Sequence, residues 1–309
     1  MAFRRARRLA ILHKLETTYG TDATPAAADA LIGSNVTFTP VEGEEVRRDL
    51  LLPYLGHQGT ILTAEYGRIE FDVELAGSGT AGTAPKFDSI LQAAGLAVTL
   101  TASVDAEYSI VEDATKSGSL YFVADKVRHV FLGGQASLAI NISARQIPKI
   151  RVTYMGLLGA VTDIGSMPAA SQIGWIAPVV VSKANTVMTL HGWTAVAESL
   201  SLDLGNELVA RHLIGDERIL ISDRQSTGTA VVEARSIATI DWFDRARAST
   251  TGALSLIHGT AAGNIVEIAA PNVQIGKPTQ GETNGIINYS IPLMLRPNAG
   301  RDEMTITFR

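Results

Sequence analysis

Residues 68–75 read Arg-Ile-Glu-Phe-Asp-Val-Glu-Leu, a charged and apolar alternation without a fault. Successive side chains of a strand point to opposite faces, so this pattern specifies a β-strand with one wet and one packed face, and it is incompatible with the 3.6-residue period of a helix. Ser199–Leu204 and Lys149–Tyr154 repeat the pattern. Further strands are predicted at 118–124, 127–132, 136–142, 229–234, 254–258, 264–269, 272–276, 286–294 and 304–308. Helices are few. Lys86–Ala94 places Phe87, Ile90, Leu91 and Ala94 on one face and stops at Gly95. Thr239–Ala248 has Thr239 as its expected N-cap, an early Asp241, and Phe243 and Ala246 turned inward. Helices this short need a sheet to pack on.

The order of these parts occurs twice. Tyr54-Leu55-Gly56, Ile61-Leu62, an alternating strand and the first helix are answered by His212-Leu213-Ile214-Gly215, Ile219-Leu220, Thr229–Glu233 and the second helix. Ser119-Leu120, Val127–Leu132 and Ser137-Leu138 are answered by Ser255-Leu256, Asn264–Ile268 and Val273–Ile275, and Ile147–Leu157 by Ile286–Leu295. Two copies of one β domain follow, over 31–161 and 186–309. An N-terminal arm is expected over 1–30, and a linker over 162–185 punctuated by Gly165, Pro168, Gly174 and Pro178.

The net charge is −5 and only 18% of the 309 residues are charged. A protein that grips duplex DNA needs surplus Lys and Arg to neutralise phosphates, and this one lacks it. With no cysteine, disulfides, thiolate zinc sites and cysteine nucleophiles are excluded. No apolar run reaches the ~18 residues of a membrane helix. The apolar block Leu9–Leu12 after Arg4, Arg5, Arg7 and Arg8 is shorter than the ~7–15 residues of a signal-peptide core, so secretion is not expected, and the arginines read as a solvated or subunit-bridging arm.

Catalytic signatures are weak. Gly77-Ser78-Gly79-Thr80-Ala81-Gly82 matches G-x-G-x-x-G, but Pro85 separates it from the helix and alternating rather than parallel strands follow, so a loop of small residues is the better reading. The six histidines are scattered singletons without zinc-site spacing, and no G-x-S-x-G elbow is present. A non-enzymatic chain without cofactor or metal is expected.

Leu15-Glu16-Thr17-Thr18-Tyr19-Gly20-Thr21-Asp22-Ala23-Thr24-Pro25 resembles the opening of tail tube proteins of tailed bacteriophages, and Glu74–Gly82 leading into the first helix resembles the family as well. Glu198–Gly205 and Thr250–Ala270 are similar to its second half. The resemblance implies a mainly β fold, here two tandem tail-tube-type β-sandwich or barrel domains, each with a short flanking helix. It also implies rings that stack into a hollow tube, with inner sheets joined into one barrel. The expected role is a structural virion subunit forming the conduit for DNA delivery. The alternative is another β-rich ring component: a tail terminator, baseplate or head decoration protein. The partners implied are the chain itself, the tape measure, terminator and baseplate proteins, and genomic DNA in transit without specific binding. No membrane insertion is expected of this subunit. Its place would be the virion tail, after assembly in the host bacterial cytoplasm. Many family members carry one domain and form hexamers, whereas a duplicated chain would build the ring from three copies.

Geometry agrees with a conduit. Four strands per domain give about 24 per ring; spaced ~4.8 Å and tilted ~40°, they enclose a backbone diameter of about 48 Å and a bore near 38 Å, wide enough for duplex DNA. Residues expected to face that bore are Arg68, Glu70, Asp72, Glu74 and Glu233, giving a wall of net negative sign with local pairing to Lys149 and Arg151. Glu42–Gln58 and Asn206–Asp216 read as long connections reaching the next ring. There Arg47, Arg48, Asp49, Arg211 and Glu217 would make charged contacts, and Leu50, Leu51, Leu52 and Leu213 would bury apolar area.

Overall fold

The computed structural model describes residues 3–113 and 115–309. The first repeat contains β1 (Leu9–Leu15), β2 (Ala30–Leu31), β3 (Gly33–Arg47), β4 (Thr60–Glu74), α1 (Asp88–Ala93), β5 (Leu96–Thr101), β6 (Asp105–Ile110), β7 (Gly118–Ala124), β8 (Val127–Ser143) and β9 (Lys149–Asp163). The second contains β10 (Thr186–Leu190), β11 (Trp193–Thr194), β12 (Ala197–Asp203), β13 (Asn206–Leu213), β14 (Asp216–Arg224), β15 (Thr227–Glu233), α2 (Trp242–Arg247), β16 (Thr251–His258), β17 (Val266–Ile275), β18 (Thr279–Thr283), β19 (Ile286–Leu295) and β20 (Thr305–Phe308).

The two halves of the chain pair their strands in a similar order. In the first repeat β1 pairs with β7, β7 with β8, β8 with β9, β9 with β4, and β4 with β3, all antiparallel. In the second, β10 pairs with β16, β16 with β17, β17 and β18 with β19, β19 with β15, and β15 with β12. The long strand β8 thus corresponds to β17 and β18 together. Gly276-Lys277-Pro278 interrupts the second version, because proline has no amide to donate to the ladder.

Both repeats also carry a β-bulge beside a glycine, at Gly118/Leu120 and at Gly252/Leu254. Each glycine faces a buried histidine, His13 or His191, and a Cβ at either position would collide with the ring. His13 Nδ1 lies 2.8 Å from Ser89 Oγ of α1, and its ring meets Tyr154 edge-on. His191 Nε2 bonds the Val273 carbonyl, and its ring packs near Trp242 of α2. In each repeat a histidine, within the first strand (His13) or just after it (His191), therefore stands between sheet and helix. Burial drives the His13 imidazole pKa down to about 3 and lowers that of His191, because a charged ring loses its hydration there.

The repeats do not fold as separate bodies. Their apolar residues form one core, in which Phe71, Leu138 and Tyr154 of the first repeat join Leu200, Val232 and Phe308 of the second. β20, at the C-terminal end, pairs with β17 and with β6, the latter from the first repeat. The expected arm is a correction of the same kind. Leu9–Leu15 is a strand sandwiched between two apolar clusters, with Ile11 in one and Ala10 and Leu12 in the other. Arg8 pairs with Asp125 at 2.9 Å, which ties the basic segment down onto the β7–β8 turn. α2 is capped by Asp241 rather than Thr239, with the Asp241 carboxylate accepting from the Asp244 amide, and its buried residue is Trp242 rather than Phe243 or Ala246.

Candidate lumen and assembly surfaces

One sheet runs through both repeats in the order β3–β4–β9–β8–β12–β15–β19–β18, four strands from each. The central junction is β8 with β12, where Ser199 faces Ser143 and Asp203 faces Ala139. Its two faces differ completely. One carries Ile69, Phe71, Val73, Ile140, Val152, Leu200, Leu202, Val232 and Ile291, all buried. The other carries Ser34, Thr37 and Thr39 on β3, Ser137, Asn141 and Ser143 on β8, Ser199 and Ser201 on β12, and Thr227 and Thr229 on β15.

The residues expected at the bore, Arg68, Glu70, Asp72, Glu74 and Glu233, all lie on this second face. Arg151 bridges two of them, with Nη2 2.9 Å from Glu70 Oε2 and Nη1 3.1 Å from Asp72 Oδ1. Arg68 reaches Glu70 at 2.8 Å, and Lys149 stands 3.9 Å from Asp72. The hydrogen bond from Arg151 is the chief reason the Glu70 carboxyl is held below its ordinary pKa. In the second repeat Glu233 pairs with Arg235 at 3.1 Å, and Asp203 adds another carboxylate. This face sets Arg68, Lys149, Arg151 and Arg235 against Glu70, Asp72, Glu74, Glu198, Asp203 and Glu233, a small acidic excess on a ground rich in Ser, Thr and Asn.

Of the segments expected as loops, 206–216 is instead almost entirely strand, whereas in 42–58 only 42–47 is strand and 48–58 is a connecting loop. The β3–β4 pairing extends to Arg47↔Thr60, and β13–β14 pair from Asn206↔Arg224 to Leu213↔Asp216. Mixed polar and apolar composition hides an exposed strand, since its alternation has no dry face to report. In the first hairpin Arg47 ends β3, and Arg48, Asp49, Leu50, Leu51 and Leu52 stand in the loop before β4, all exposed. In the second, Arg211, Leu213 and Glu217 are exposed near the tip.

The second hairpin lies across the first repeat, against β8 and β9. Asn206 Nδ2 donates to the carbonyls of Ala94 and Ala136, and Arg224 reaches Glu112 and Glu303. The Tyr19 hydroxyl accepts from the Ile219 amide at 2.6 Å. Tyr19 belongs to a tight segment in which the Glu16 carboxylate accepts from the Gly20 and Gly133 amides and the Ser117 and Ser119 hydroxyls, while Asp22 accepts from Tyr121. The sequence marks these residues only by their family likeness; a partner 200 positions away leaves no local trace.

The glycine-rich loop has a packing role. Gly79 donates its amide to Gly263, Gly77 donates to Asn264 Oδ1, and a Cβ on Gly77, Gly79 or Gly263 would strike the neighbouring chain segment. Its glycines let two backbones touch across the repeats. Among the described residues no cluster of three or more His, Asp or Glu forms a metal site, and no helix is long and apolar enough to cross a membrane.

No curated protein matches the chain. A family described as phage tail tube protein matches residues 6–294, nearly the whole length and both repeats. On that match, and with the mainly β architecture just described, the chain belongs to the phage tail tube protein family.

Proposed function

We propose that three copies of this chain form a ring with pseudo-sixfold symmetry, and that such rings stack into the tube through which DNA passes into the host. The observation that supports it best is the eight-stranded arc, wet on one face, dry on the other and open at both edges. Three arcs supply about 24 strands, the number that gives a bore wide enough for a duplex. Closing them removes the unpaired edges that a lone arc exposes.

In this reading the wet face is the lumen wall. Hydroxyls and amides hold a water layer, and the paired carboxylates around Arg151 leave few free cations to trap phosphates. The tips of the hairpins make the contacts between rings. Leu51 and Leu55 are fully exposed, with Leu50, Leu52 and Tyr54 beside them, and Leu213 and Ile214 project from the second tip. A cluster of this kind marks an interaction surface. The tape measure, terminator and baseplate proteins are the further partners, met during assembly in the host cytoplasm.

Negative-stain microscopy of the purified protein tests the class, since a tube subunit gives stacked rings or smooth tubes. A terminator, baseplate or decoration protein gives single rings or none. Changing Glu70, Asp72 and Glu74 together to Lys tests the lumen assignment. Tubes should still form while DNA delivery by the particles falls; normal ejection would exclude this face from the bore.

A further inference from the structure

We infer that the arginine-rich N-terminal segment is a receptor for the first hairpin of a neighbouring chain, with Arg4, Arg5 and Arg7 taking the carboxylates of Glu44, Glu45 and Glu65 in a salt-sensitive charge contact. This rests on the tube reading above and concerns a surface which that reading leaves unused.

The chain has two unlike ends. Glu74, Ser143 and Glu233 end their strands beside Lys149, Ser199 and Asn288, so all six lie at one end of the arc. The β3–β4 and β13–β14 hairpins leave from the other end, beyond Tyr66 and Asp203. The N-terminal segment belongs to the first end. Tyr19, shortly after β1, bonds Ile219 on the second hairpin, and β1 runs from that side back to Leu9, about 20 Å away. The second repeat shows where such a strand begins. β10, the counterpart of β1, is preceded by Val181, whose amide donates to the Gln146 carbonyl in the β8–β9 turn. Gly77, three residues past Glu74, donates to Asn264 just before β17. Stacked rings of one polarity therefore set the arm end of one chain against the hairpin end of another.

The two ends differ in charge. The chain is acidic overall, at −5, yet Arg4, Arg5, Arg7, Arg8, Lys126 and Arg128 gather around the β7–β8 turn against Asp125 and Asp163. Of the four N-terminal arginines, only Arg8 forms an ion pair among the described residues. Arg4 Nη2 donates to the Ala124 carbonyl at 2.8 Å and the Arg5 amide to Asp125 Oδ2 at 2.6 Å. The segment is thus held on the turn with its arginines exposed, and little ordering remains to be done when a partner arrives.

The first hairpin has the opposite sign. Glu42, Glu44, Glu45, Asp49 and Glu65 stand against Arg47 and Arg48. None of these five carboxylates has an ion-pair partner among the described residues. In the second hairpin Asp216 pairs with Arg218, Glu217 stands 3.7 Å from His212, Arg224 reaches Glu112, and Ile219 is buried. Its charges are largely met within the chain, whereas those of the first hairpin are left for a second copy. Like charges crowded on each surface repel one another, and interleaving the two surfaces relieves both. The screening length shrinks from about 10 Å at 0.1 M salt to about 3 Å at 1 M, so this contact weakens with salt. Apolar tips alone would hold or tighten.

Charge reversal tests the pairing. Arg4→Glu with Arg5→Glu and Arg7→Glu makes a ring acidic at both ends, and Glu44→Lys with Glu45→Lys and Glu65→Lys makes one basic at both ends. Each variant alone should form rings but at least ten-fold fewer stacks, by sedimentation and negative-stain microscopy at about 0.1 M sodium chloride. Preformed rings of the two variants, once mixed, should stack together. Normal tubes from either variant alone, or no recovery on mixing, would overturn the pairing and leave the tube reading standing. Loss of stacking in the arginine variant beside normal stacking in the glutamate variant would also overturn it, giving the arm to another acidic partner such as nucleic acid. Tubes of the unaltered chain need no substitution: they should shorten at least ten-fold between about 0.1 M and about 1 M sodium chloride. Unchanged length would leave the apolar tips as the stacking contact, and absence of rings from the unaltered protein removes both readings.

Discussion

The two long hairpins occupy the same place in their repeats, yet one packs on the body of the chain and the other projects into solvent. β13–β14 is fastened to the first repeat by Asn206, by the Arg224–Glu112 pair and by the Tyr19–Ile219 bond. The distal part of β3–β4 and the loop that follows carry Val46, Leu51, Tyr54, Leu55 and Ile61 into solvent. The difference is instructive: in the proposed ring the second hairpin is a finished example of the contact, and the first is the one that a neighbouring chain would complete. Stability should therefore respond to changes in the second hairpin, and assembly to changes in the first.

The largest effect expected is on stacking. Deleting Glu44–Leu51 should leave a folded chain, with thermal unfolding nearly unchanged, that forms no tubes by microscopy; long tubes from this variant would erase the distinction between the hairpins. Next, Ile219→Asp should destabilise the isolated chain by at least about 3 kcal/mol, since it removes buried apolar contact and buries a charge. Ile61→Asp should change chain stability by less than about 0.5 kcal/mol while blocking assembly. Urea unfolding and sedimentation of both variants sharpen the comparison, and equal destabilisation would contradict it.

An effect of similar scale comes from pH. The folded pKa of His13, about 3, lies below the ordinary imidazole value of 6.5, so the unfolded chain binds the extra proton between those values. Stability is thus full above pH 6.5 and falls as the pH drops toward 3, by about 1.4 kcal/mol per pH unit from this group alone. His191, lowered in the same direction, adds to the loss from the second repeat. Unfolding measured at pH 7 and pH 5 checks the sign, and His13→Gln should flatten the slope even if it lowers the starting stability. The smallest effect is that of Tyr19→Phe. Losing the hydroxyl at Ile219 should cost about 0.5–1.5 kcal/mol and speed exchange of the Ile219 amide, with no counterpart in the first hairpin.

Half-buried strands announced themselves in the sequence. Arg68–Leu75, Lys149–Tyr154 and Ser199–Leu204 alternate because one face is dry, and β7 spans the expected 118–124. Two expected strands, 127–132 and 136–142, proved to be one, because β8 passes its bulges at Phe131 and Gln135 without ending. β1 was hidden for the opposite reason. It is buried on both faces, so Leu9–Leu12 has no alternation to read. β20 was foreseen as a strand, but its partners in both repeats were not, because such pairing is settled by the packed core rather than by local pattern. For the polar face proposed as the lumen wall, the alternation of β4 and β9 was enough to name the charged residues. The extent of that face needed the pairing through β8 and β12, which joins the repeats into one arc.

Image averaging of assembled rings tests this account most directly. It predicts three chains per ring, each contributing two similar but distinguishable four-stranded arcs to a closed barrel of about 24 strands, with hairpins alternating between the two kinds. Strictly sixfold rings of six chains, or an open assembly in which β3 and β18 stay unpaired, would contradict it.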